Sequence, residues 1–123
     1  VKVPPEEIAK IDFNSGVKAY QDARYGPAAR NLNNALASGV LPSADQVQAY
    51  KLLAFIECSN NRKAECRRNF DRALGISPGF ELSKSEAGHP IWGPIFVEAK
   101  AAVTQRRQSR PAATPAPRTP ASR

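Results

Sequence analysis

A chain of 123 residues is sized for one domain, and it holds no run of 18 or more apolar residues that could cross a bilayer. Its formal charge of +7 suggests nucleic acid until the charge is divided along the chain. Residues 106–123 carry five arginines and no acid, while the other 105 residues carry thirteen basic and eleven acidic groups, a net +2. Basicity is therefore a property of the tail, and the folded part is close to neutral.

The sequence contains no methionine, so Val1 is expected to be a processed or trimmed start with a targeting segment upstream. The two cysteines, Cys58 and Cys66, exclude a four-cysteine zinc site. The single histidine, His89, leaves too few ligands for a mixed one, so no metal or other cofactor is expected.

In chain order, Val1–Pro5 reads as an extended lead-in, and Pro5-Glu6-Glu7 suits a helix start. That helix is expected to run to about Arg24, with Ile8, Ile11, Phe13, Gly16, Ala19, Tyr20 and Ala23 at its apolar and small positions. Tyr25-Gly26-Pro27 breaks it, and Pro27 starts a second helix carrying Ala28, Leu32, Ala35 and Leu36 to about Ser38-Gly39. Ser43-Ala44-Asp45-Gln46 reads as a capping box opening a third helix. Tyr50, Leu53, Ala54 and Ile56 mark its buried face at helical spacing. A polar turn at Asn60-Asn61-Arg62 leads to a fourth helix with Cys66, Phe70, Ala73, Leu74 and Ile76 inward, and Pro78 stops it.

The two halves repeat. A shift of 38 residues places Gly16 on Ala54, Ala28 on Cys66, Leu32 on Phe70, Ala35 on Ala73 and Leu36 on Leu74. Small residues where two helices must approach, a large knob between them and a closing proline resemble a tetratricopeptide (TPR) repeat. The resemblance covers roughly residues 9–78, as repeat one (about 9–42) and repeat two (about 43–80). It implies an all-α fold of two helical hairpins. Val40 stands where a closing proline is usual, and Ser15 where a leucine is.

Beyond Pro78, Ser83-Lys84-Ser85-Glu86 is a second capping-box candidate inside a linker, 79–93, that Phe80, Leu82 and Trp92 are expected to pin to repeat two. A last helix, 94–107, with Ile95, Phe96, Ala99, Ala102 and Val103 inward, is expected to cap the array. The proline leading into Phe-x-Leu and a further proline-started helix is similar to the ending of small bacterial envelope TPR proteins. Residues 1–107 thus form the expected domain. Residues 108–123, rich in proline and alanine, have too little apolar surface to offset chain entropy and are expected to be disordered alone.

No catalytic constellation emerges. His89 sits between Gly88 and Pro90 and reads as a hydrogen-bonding turn residue, and the glycines form no phosphate-cradling loop, so no small-molecule substrate is expected. Cys58 and Cys66 flank the 60–62 turn and would face each other across an antiparallel seam. Two readings stay open: a disulfide, which suits an exported domain, or two small buried thiols.

By resemblance, a protein or peptide partner would lie in the concave groove of the first helices. That places Lys10, Phe13, Val17, Tyr20 and Gln21 from repeat one, and Gln48, Lys51 and Phe55 from repeat two, at the partner. The alternative for Phe13 and Phe55 is internal packing. Val17 and Phe55 stand where a chaperone-type carboxylate clamp would need asparagine, which excludes that clamp. The expected role is a noncatalytic scaffold of the bacterial envelope, periplasmic, with a lipid or signal anchor at a missing N-terminus as one form of tethering, serving a secretion or assembly machine. Two other readings remain. The arginine tail could bind an anionic surface or nucleic acid, although it has no interleaved aromatics for base stacking. The exposed ends of a two-repeat array could also self-assemble.

Overall fold

A computed structural model describes residues 3–109. Among them the fold is all-helical: α1 (Pro5–Gln21), α2 (Tyr25–Ala37), α3 (Ser43–Ser59), α4 (Lys63–Ile76), the single turn α5 (Lys84–Ala87) and α6 (Trp92–Ser109). The proline-rich segment expected to begin at residue 108 starts later, because α6 includes Gln108 and Ser109. From Arg110 on it lies outside the described residues.

α1 packs on α2 and α3 on α4, each pair folded back across a three-residue turn, and α6 packs against α4. The apolar core is continuous from Ala9 and Phe13 through Leu32, Leu53, Phe70 and Leu74 to Phe96, Ala99 and Val103. Gly16 lets the first pair close. A Cβ there would lie 2.7 Å from Leu32 Cγ and 3.1 Å from the Leu32 backbone nitrogen, so any larger residue would collide.

The 38-residue shift extends to the backbone. α1 and α3 begin and end at positions 38 apart, and so do the starts of α2 and α4. Both turns are Schellman closures around a left-handed residue, Ala23 with φ 62° and Asn61 with φ 63°. The Arg24 amide reaches the Ala19 carbonyl at 2.8 Å, and the Arg62 amide reaches the Glu57 carbonyl at 2.8 Å.

Several local expectations are corrected. α1 stops at Gln21, and the break lies at 22–24, not at Tyr25-Gly26-Pro27. α2 already contains those three residues, because amides in a first turn have no helical acceptor and Pro27 forfeits nothing there. Ser43 does not cap α3. Pro42 occupies the cap position, and the Gln46 side chain instead donates to the Leu41 carbonyl at 2.6 Å. Ile8 and Ile11 are 49% and 54% exposed, since α1 turns Ala9, Phe13 and Gly16 inward. Ala23 and Ile76 are likewise exposed. α6 begins at Trp92, two residues before the expected start.

Candidate functional site

After α4 the chain does not run straight to α6. The segment between them reaches α3 through Glu86, and the capping box expected there is complete. Ser83 Oγ accepts the Glu86 amide, and Glu86 Oε1 accepts the Ser83 amide. The second carboxylate oxygen, Oε2, accepts a hydrogen bond from Lys51 Nζ at 2.8 Å. Burial works to raise the Glu86 pKa, but the bonds from Lys51 and Ser83 outweigh it and hold the carboxyl below its ordinary range.

The aromatic residues stack around this ion pair. Phe55 lies parallel to Trp92 at 4.0 Å between centroids, and His89 stacks on Trp92 at 3.6 Å. Trp92 Nε1 donates to the Glu86 carbonyl at 2.8 Å, so its ring is fixed at both faces and one edge. His89 Nδ1 accepts the amides of Ile91 and Trp92 at 3.1 and 3.3 Å, serving the start of α6 as a helix-capping acceptor. Gly93 permits this entry, because a Cβ there would lie 2.4 Å from the Ala87 carbonyl oxygen.

Of the expected groove residues, Tyr20, Lys51 and Phe55 meet around Glu86 and Trp92. Tyr20 packs obliquely against Tyr25 at 5.4 Å and Phe55 at 6.4 Å. Burial pushes its phenol pKa upward, and Tyr25 and the Glu86 carboxylate add to the shift. Phe55 and Phe13 are core residues. Lys10 bonds Asp45 at 2.6 Å and ties α1 to α3. Val17, Tyr20 and Gln48 are half-buried and Gln21 is exposed.

Trp92 pins the linker to residues 43–80 as the sequence led one to expect, through its stack on Phe55, but sequence reasoning missed Glu86 and His89 beside it. The capping box was readable, but nothing in the sequence showed that its glutamate would reach a lysine 35 positions away.

Cys58 and Cys66 form a disulfide across the α3–α4 turn, with Cα atoms 5.2 Å apart. The basic run beside it is largely paired. Arg62 lies beside Glu57, Arg67 beside Asp71 and Glu98, Arg68 beside Glu65, and Arg72 donates to Asn69. Among the described residues no cluster of histidine, cysteine and acids has the arrangement of a metal site, and no helix is long and apolar enough to cross a membrane. Comparison with protein-family models, curated proteins and solved structures gives no match.

Proposed function

We propose that this chain is a noncatalytic protein-binding scaffold built from two tetratricopeptide-type hairpins and a capping helix, α6. The observation that carries the reading is the 38-residue recurrence of helix ends, left-handed turn residues and Schellman bonds. Repeated hairpins stack with their first helices side by side, and such stacks present an extended inner surface to partners. In this chain the surface has two parts. Over α3 it is occupied by the chain's own Glu86 and Trp92, which hold Lys51 and Phe55. Along α1 it is open at Val17, Tyr20 and Gln21, with Gln48 at its edge, and that strip is the partner site.

The disulfide supports an oxidising compartment, and a bacterial periplasmic or envelope location is the corresponding proposal. Service to a secretion or assembly machine is an extension by analogy with the family resembled. The test is partner recovery by the tagged full chain from an envelope fraction. Tyr20→Ala with Gln21→Ala is expected to abolish recovery, while Asn34→Ala on α2 leaves it intact. Recovery unchanged by the first pair would refute the strip.

A further inference from the structure

The two ends of the molecule are chemically complementary. α1 packs against α2 and α3 and α6 against α4, with only the Tyr20 end of α1 near Glu86 of α5, so the bodies of α1 and α6 lie at opposite ends of the packed series. At one end, α1 exposes Ile8 and Ile11, spaced i, i+3, directly after the acidic pair Glu6 and Glu7 of its first turn. At the other end, a mainly apolar groove of about 480 Å³ runs between α6 and residues 81–87, lined by Leu82, Ala87, Phe96, Val97 and Ala101, with the Glu81–Lys100 ion pair also in its wall. Val97 is 65% exposed there, and the last turn of α6 beyond the groove carries Arg106 and Arg107.

The internal repeat says what kind of contact α1 makes. Ile11 corresponds to Ala49, which is buried in α3. Ile8 corresponds to half-buried Gln46, so both isoleucines of α1 stand at positions that are at least partly covered in α3. The paired isoleucines are the i, i+3 anchors of a helix laid in an apolar groove. In an antiparallel crossing, the acidic first turn of α1 meets the basic last turn of α6. Opposite charges and opposite helix dipole ends then coincide.

We infer that the chain associates head to tail: the exposed α1 face of one copy seats in the α6 groove of the next. The interface is heterologous, so growth continues past a dimer into rings or filaments. This inference is independent of the partner strip on the inner surface.

Sedimentation velocity of the full chain across a concentration series at low salt tests it. The expected result is a weight-average mass that climbs above the 13.3 kDa monomer without a plateau at twice that value. Glu6→Lys with Glu7→Lys, or Arg106→Glu with Arg107→Glu, weakens association by about tenfold or more. An equimolar mixture of these two variants restores it, because each then presents an end that matches the other. Val97→Asp abolishes it. All of these positions are exposed, and circular dichroism verifies that each variant is folded. A monomer at every concentration, a plateau at a dimer, or association indifferent to the charge reversals would overturn the inference.

Discussion

Lys51 and Glu86 tie α3 to α5, with 2.8 Å between Nζ and Oε2 and side chains only 12% and 26% exposed. One carboxylate oxygen closes the α5 capping box and the other holds the lysine, so a single side chain fixes both the local turn and its docking.

Glu86→Gln is expected to cost about 1–2 kcal/mol, because a charge-assisted bond is weakened and the largely covered Lys51 is left without its countercharge. Chemical denaturation measures this. The pH dependence follows from the depressed carboxyl pKa of the folded state. The contribution is complete above the ordinary carboxylate range and is lost as pH falls through the folded-state pKa. In Glu86→Gln that part of the acid sensitivity disappears.

Gly16→Ala and Gly75→Ala should move stability in opposite directions. At Gly16 a methyl would meet Leu32 Cγ and Cδ2 at 2.7 and 2.8 Å, and overpacking of this kind costs about 1–3 kcal/mol, more than the helix propensity of alanine returns. At Gly75, inside α4, a methyl meets nothing within 4 Å, and the substitution should stabilise by about 0.5–1 kcal/mol. Paired thermal melts distinguish the two.

Ala23 holds a left-handed conformation that suits glycine or asparagine, the latter being the residue at the matching position, Asn61. Ala23→Gly should stabilise by about 1 kcal/mol, since the conformation strains an alanine and not a glycine. Asn61→Ala should destabilise for the same reason. Thermal denaturation of the two variants checks both signs.

The Cys58–Cys66 bridge closes a short loop, and its loss should cost about 2–3 kcal/mol. Mass spectrometry after alkylation, with and without reduction, is expected to show two added groups only in the reduced sample. Denaturation of the Cys58→Ala, Cys66→Ala chain then measures the cost.

Legibility in the sequence tracked the range of the contact. The 38-residue shift was readable because it rests on small residues facing large ones within each helix pair, as Gly16 faces Leu32. The Ser83–Glu86 box was readable because both partners lie within four residues. Ser43 misled because Pro42, with its fixed φ, occupies the cap position one residue earlier. Ala23 carried no signal, since nothing in an alanine announces a left-handed turn. Ile8 and Ile11 fitted a helical period, yet only the placement of α2 and α3 decides which face of α1 is covered. The docking of α5 on α3 depended on the Lys51–Glu86 contact, which no local pattern encodes.

The open strip on α1 is the central claim, and site-specific photocrosslinking tests it without removing any native contact elsewhere. A photoreactive residue at Gln21, in the full chain expressed in its native host, is expected to yield a discrete adduct with one other protein. The same probe at Asn34, on α2, is expected to yield none. Adducts from Asn34 alone, or no protein adduct from Gln21, would contradict the account.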